Sequence, residues 1–171
     1  MSIFPGEILT LATETLETLR QATLRCATAE SCTGGLIAGA LTEIAGSSDC
    51  VGRCFVTYSN EAKREVLGVK QATLEEHGAV SPQTVTEMAE GLLRIAGDDA
   101  DIAIAVSGVA GPGGGSPEKP VGTVHLALAS RGGPTETLHR VYDGDRGAVR
   151  IKTVADALHM VKARAGKPAG S

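Results

Sequence analysis

The sequence predicts an α/β fold, a three-layer α/β/α sandwich around a mixed, largely parallel sheet. Apolar residues make up 42% of the 171 positions while aromatics are only 2% and tryptophan is absent, so the core must be aliphatic, as suits buried strands flanked by helices. Short β-branched or small apolar runs alternate with amphipathic runs at helical spacing along most of the chain. Late in the chain a Gly- and Pro-rich stretch is followed by two strand-like runs with a short polar connection, which reads as a hairpin. The length suits one domain, expected to span residues 1–171, with residues 165–171 as a flexible tail.

Each element has its own signal. Ile8, Leu11, Thr15, Leu16 and Leu19 recur on one face and predict a first helix over residues 7–24. Residues 26–30 form a short strand, 31–35 a turn, and 36–45 a helix of small residues that ends at Gly46-Ser47-Ser48-Asp49. Residues 53–58 read as a strand, after which Ser59 or Asn60 caps a helix running to Leu67 and stopped by Gly68. One more helical turn is expected over 73–77, and Ser81-Pro82 opens a helix to about Ala96. Residues 102–106 are a continuous apolar strand and 108–120 a loop. Residues 121–129 and 137–142 are the two strands of the hairpin, and Asp145 caps a last helix over 146–163.

Several function classes fall away on composition. The net charge is −4 and the basic residues are scattered, so the electrostatic footprint of a nucleic-acid binder is missing. Glu7, Glu14 and Glu17 interrupt the amino-terminal stretch, which lacks the apolar segment of a signal peptide. The apolar run over 102–110 is too short to span a bilayer, so a cytoplasmic chain is expected. The four cysteines, Cys26, Cys32, Cys50 and Cys54, contain a single close pair at Cys50-x-x-x-Cys54 with no second pair or nearby histidines. That spacing does not make a zinc site, and the thiols read as buried small hydrophobes; neither metal nor cofactor is expected.

Four motifs carry possible chemistry. In Ala29-Glu30-Ser31-Cys32-Thr33-Gly34-Gly35 a serine stands where a strand ends and a helix begins, with Thr33, Gly34 and Gly35 offering free first-turn amides to an oxyanion or phosphate. Ser31 or Thr33 serves equally well there as a helix cap. In Thr57-Tyr58-Ser59-Asn60-Glu61-Ala62-Lys63 a phenol and an amine flank a helix start. A lysine near that positive dipole end, partly buried, is pushed toward the neutral form that a serine nucleophile needs as its base; the other reading is a solvated Lys63 paired with Glu61. The stretch from Ser107 and Gly108 through Gly111 to Pro117 is neither a dinucleotide fingerprint nor a P-loop, and is a ligand wall or a flexible surface loop. Arg146, opening the last helix, suits a phosphate or carboxylate, or an ion pair with Asp143 or Glu136. No histidine lies near a plausible nucleophile in sequence.

Taken in order, those motifs together with Gly46-Ser47-Ser48, His77-Gly78-Ala79-Val80-Ser81, Lys119-Pro120-Val121-Gly122-Thr123-Val124 and Gly144-Asp145-Arg146 closely resemble the CinA C-terminal domain family over residues 7–163. The resemblance implies a nicotinamide mononucleotide amidohydrolase of pyridine-nucleotide salvage, with Ser31 and Lys63 as the catalytic pair and Tyr58 assisting. Cys54 stands where the family pattern has glycine, away from the proposed chemistry. The expected partners are a small nucleotide, held by Thr33, Gly34, Gly35, Ser107, Gly108, Gly111 and Arg146, and further copies of the chain in a homo-oligomer, with no nucleic acid or membrane. The rival expectation is a non-catalytic nucleotide-binding or regulatory module tied to competence or DNA damage.

Overall fold

Alternation of large and small side chains along the central strands decides how the two faces of the sheet are covered. The computed structural model describes residues 1–167. It contains β1 (Cys26–Glu30), β2 (Val51–Val56), β3 (Ile102–Gly108), β4 (Thr123–Ser130) and β5 (Glu136–Val141), in the sheet order β2-β1-β3-β4-β5. β1 pairs in parallel with both β2 and β3, whereas β3–β4 and β4–β5 are antiparallel. The sheet is therefore mixed, parallel where the early crossovers build it and antiparallel at the late hairpin.

On one face Ile102, Ile104, Val106, Val124, Leu126 and Leu128 pack against α1 (Gly6–Ala22), α2 (Leu36–Thr42) and α6 (Arg146–Ala165). On the other, the intervening positions Ala27, Ala29, Ala103, Ala105, Ala127 and Ala129 meet Leu67 of α3 (Asn60–Leu67), Leu74 of α4 (Gln71–His77) and Val85, Met88 and Leu92 of α5 (Pro82–Ala96). Alanine gives this face little side-chain volume, so α5 lies close over it. An aliphatic interior follows, each large side chain contributing roughly 1.5–3 kcal/mol on burial.

The caps follow the expected chemistry. Ser59 Oγ accepts from Ala62 N–H at the start of α3, Ser81 Oγ from Thr84 N–H at α5, and Asp145 Oδ1 from Ala148 N–H at α6. Several boundaries shift by one to three residues, β4 for instance beginning at Thr123 where 121 was expected. β2 begins and ends two residues before the expected 53–58, because Val51 already pairs with Cys26 of β1 and the last pair of the ladder joins Val56 to Glu30. α2 stops at Thr42, short of residue 45, and a short 3-10 turn over Ser47–Asp49 completes the connection. α4 starts at Gln71, earlier than 73. α6 continues to Ala165, whose side chain is buried, two residues past the expected end; Gly166 and Lys167 are exposed, with Lys167 Nζ donating to Glu136 Oε1 at 3.0 Å, and the rest of the expected tail lies outside the described residues. Cys26, Cys32 and Cys50 are buried free thiols, as read from the sequence, while Cys54 is exposed on β2. No helix among the described residues is long and apolar enough to cross a membrane.

The closest helix contact tolerates no side chain. A Cβ at Gly91 of α5 would stand 1.9 Å from the Leu67 carbonyl oxygen that ends α3. Gly91→Ala should therefore separate α3 from α5 and lower the unfolding free energy by about 2 kcal/mol or more, read as a lower urea midpoint. Gly6→Ala, where the added carbon meets nothing within 4 Å, is the control and should stay within about 0.5 kcal/mol of the parent.

Candidate active site

Parallel pairing brings the carboxyl ends of β1, β2 and β3 together, since Glu30 is in register with Val56 on one side and Val106 on the other. Ser31 is the first residue past β1, and its N–H donates to the Val106 carbonyl at 3.1 Å. Because side chains alternate across a sheet, Glu30 points toward α2 while Ser31 points to the α3–α5 side. This one-residue switch separates structure from chemistry.

Glu30 is completely buried. Its Oε2 accepts from the Thr33 hydroxyl at 2.5 Å and from the Gly35 and Ile37 amides at 3.1 and 3.0 Å, and its Oε1 accepts from the Ala38 amide at 2.9 Å. The carboxylate thus takes the role of cap for α2 that Ser31 or Thr33 was offered for, and leaves the Ser31 hydroxyl free of it. The signal in the sequence was a glutamate closing an otherwise apolar strand.

Lys63 sits on the opposite side, at the second turn of α3, and is only 1% exposed. Its Nζ lies 3.0 Å from Ser31 Oγ and donates to the Thr57 and Tyr58 carbonyls, each at 3.0 Å. No carboxylate pairs with it among the described residues, so the expected alternative of an ion pair with Glu61 is not what the fold builds. Burial drives its pKa down from 10.5 to about 8, with the Cys32 thiol opposing slightly. A neutral amine has two N–H donors and one lone pair. Two carbonyls take the donors, and the lone pair is left facing the serine hydroxyl.

The other expected residues fall into three groups. Tyr58 contributes its carbonyl; the residue is 63% exposed and its phenol hydrogen-bonds to no described residue. Thr33, Gly34 and Gly35 all lie in the turn after Ser31, but the Gly34 amide donates to the Ser31 carbonyl at 3.1 Å and the Gly35 amide to Glu30, so neither is free for a ligand as the sequence had suggested. Ser107 and Gly108 end β3 beside Ser31, with Ser107 only 2% exposed. Gly111 offers its carbonyl to Arg146 Nη1 at 2.8 Å, which ties the Gly-rich loop to α6 in place of the ion pairs with Asp143 or Glu136. Further bonds, Val109 N–H to Thr123 O and Ser116 N–H to Lys119 O, pin the loop along its length.

Sequence reasoning missed Arg150. Its Nε donates to the Cys32 carbonyl at 3.2 Å and its Nη2 to the Thr33 carbonyl at 2.8 Å. The available signal was an arginine inside the apolar stripe of α6, between Val149 and Thr153, one turn after Arg146. His125 lies across β3 from Ser31: it pairs with Ser107, and its ring stacks on His139 at 4.4 Å. Burial and the neighbouring His139 and Lys119 hold its pKa down at about 4. The clefts on the α1–α6 side, lined by Ile8, Leu11, Ile151 and His159 among others, share no residue with this constellation.

The fold and the serine–lysine contact define an α/β protein in which a buried lysine amine is set against a serine hydroxyl at the carboxyl end of the sheet. Residues 8–165 match the CinA C-terminal domain, and the chain belongs to that family. It is 58% identical over 130 residues to a nicotinamide-nucleotide amidohydrolase PncC of Enterobacter agglomerans, covering 76% of this chain and 78% of that one. The PncC protein of Escherichia coli K12 is 49% identical over 153 residues, 90% of this chain and 92% of the relative. Among solved structures, the competence/damage inducible protein CihA from Agrobacterium tumefaciens superposes with a TM-score of 0.91 at 54% identity, covering 95% of this chain and 98% of that one.

The lowered lysine pKa has a sign that stability measurements read directly. Between the folded value of about 8 and the ordinary 10.5, the unfolded chain holds more protons at Lys63 than the folded one does, so stability rises with pH across that window. The unfolding free energy of the parent relative to Lys63→Met should therefore grow by on the order of 1–2 kcal/mol from pH 8 to pH 9.5. A difference that stays flat across this range would mean that Lys63 titrates normally in the folded chain.

Proposed function

We propose that this protein hydrolyses the carboxamide of nicotinamide mononucleotide to nicotinic acid mononucleotide and ammonia, with Ser31 as nucleophile and Lys63 as general base. The observation that carries the mechanism is the 3.0 Å approach of a buried, carboxylate-free Lys63 Nζ to Ser31 Oγ. The substrate comes from the names of the two amidohydrolase relatives. Lys63 accepts the Ser31 proton as the serine oxygen attacks the carboxamide carbon, giving a tetrahedral oxyanion. Collapse breaks the C–N bond, and the lysine proton goes to the departing nitrogen, which leaves as ammonia. Water then attacks the acyl-enzyme carbonyl and gives its proton to Lys63. The second tetrahedral species releases the carboxylate as that proton returns to Ser31.

The nucleotide lies along the carboxyl edge of the sheet, with Ser107, Gly108 and Gly111 as its wall. Arg146, which is exposed and uses Nη1 on the Gly111 carbonyl, turns its remaining N–H groups to the phosphate. Tyr58 shapes Lys63 through its carbonyl. In this reading the enzyme is cytoplasmic, acts as a homo-oligomer, and uses neither metal nor cofactor.

Ammonia release from nicotinamide mononucleotide by the pure protein tests the reading against the non-catalytic alternative, which binds nucleotide without turnover. Ser31→Ala should remain folded and lose roughly a thousandfold or more in kcat. The parent rate should rise with pH through about 8, since the base works in its neutral form, and Lys63→Arg should be nearly inactive because a guanidinium does not deprotonate in this range. An active Lys63→Arg variant would show that position 63 supplies charge and not proton transfer.

A further inference from the structure

The four amides that follow Ser31 are not equivalent. Those of Gly34 and Gly35 are committed to the Ser31 carbonyl and the Glu30 carboxylate. Those of Cys32 and Thr33 have no acceptor among the described residues. Arg150 explains which way they face. A peptide unit is planar and trans, so its C=O and N–H point in opposite directions. With the Cys32 carbonyl held by Arg150 Nε, the Thr33 N–H of the same peptide is turned away from α6. The Ser31 carbonyl is likewise held by the Gly34 amide, which turns the Cys32 N–H outward from the loop.

Resting on the serine–lysine reading above, we propose that the Cys32 and Thr33 amides form the oxyanion hole and that Arg150 is the residue that positions them: its grip on the Cys32 carbonyl aims the Thr33 amide, and its grip on the Thr33 carbonyl sets the Gly34 N–H that holds the Ser31 carbonyl and so the Cys32 amide. In the nucleophile elbow of α/β-hydrolases, where the serine also stands at a strand–turn–helix junction, the amide of the residue after the nucleophile is a donor of this kind. The guanidinium suits the task because it is a rigid fork that serves two acceptors at once, which an ammonium on a flexible stem does not reproduce. Arg150 also fills the space beside Gly34, where a Cβ would stand 3.3 Å from Nη2 and where φ is +60°. The turn and the arginine therefore fit each other closely. Arg150 never touches the substrate; it acts through two backbone groups.

The test separates aim from mere folding. An aldehyde analogue, the 3-formylpyridinium ribonucleotide, adds Ser31 at its carbonyl carbon and places the resulting oxygen in the hole, whereas ground-state substrate binding depends on the rest of the nucleotide. Arg150→Met should lower kcat for nicotinamide mononucleotide by about tenfold or more with KM within about twofold, and weaken the aldehyde by the same factor as kcat. Arg150→Lys, which keeps the charge and reaches one carbonyl at a time, should fall between, and carries the test if Arg150→Met does not fold. An unchanged kcat, or a fall in kcat with the aldehyde affinity untouched, overturns the inference. Ser31→Ala run alongside distinguishes the two levels: full turnover there defeats the serine mechanism itself, while an inactive Ser31→Ala beside a fully active Arg150→Met defeats only the role given to Arg150.

Discussion

Glu30 enters the interior with a carboxylate and finds four donors waiting: one hydroxyl and three backbone amides at the start of α2. Hydrogen bonds to a charged group contribute roughly 1.5–3 kcal/mol each, and a buried carboxylate without them would not be tolerated. The arrangement fixes the turn from β1 into α2 from within. The proposed chemistry hangs from that turn, because Ser31 begins it, Arg150 grips its carbonyls, and Lys63 meets the serine hydroxyl across it.

The same turn shows how sheet alternation divides labour. Glu30 and Ser31 are neighbours in the chain but lie on opposite faces, one among α1, α2 and α6, the other toward α3 and α5. A carboxylate on the serine face would have favoured a charged lysine. Kept on the other face and occupied with donors, it leaves Lys63 among carbonyls alone, where desolvation governs its titration. The two faces also differ in bulk. Isoleucine, leucine and valine meet the three helices of the Glu30 side, while alanines admit α5 closely on the side of the serine.

Much of this was legible in the chain. Cap residues Ser59, Ser81 and Asp145 announced their helices because a side-chain oxygen before a helical run has few other uses, and the spacing of small and large apolar residues announced a layered sheet. Ser31, Lys63 and the neighbouring turn were readable as candidates from motif and resemblance. Three matters were not. That Glu30 caps α2 depends on which face of the strand it occupies, which five residues do not reveal. That Tyr58 offers its carbonyl and exposes its phenol depends on β2 ending at Val56, two residues before the expected end. Arg150 reaches the Ser31 turn across more than a hundred residues of chain, through the packing of α6 against α2, and local pattern carries no record of so distant a partner.

For the proposed reaction, the three oxygens around Lys63 Nζ have a consequence for the dynamics of turnover. As a free amine the nitrogen gives two hydrogens to carbonyls and receives one from a hydroxyl; as an ammonium it would have three hydrogens for the same three oxygens, all at 3.0 Å. Both charge states are therefore satisfied by one set of coordinates. The proton can shuttle along a single line while side chain and backbone stand still, and no reorganisation of the surroundings separates the resting nitrogen from the working one. In the proposed reaction the attacking group, the departing group and the incoming water would then all visit the same lone pair, in sequence, at a point that does not move.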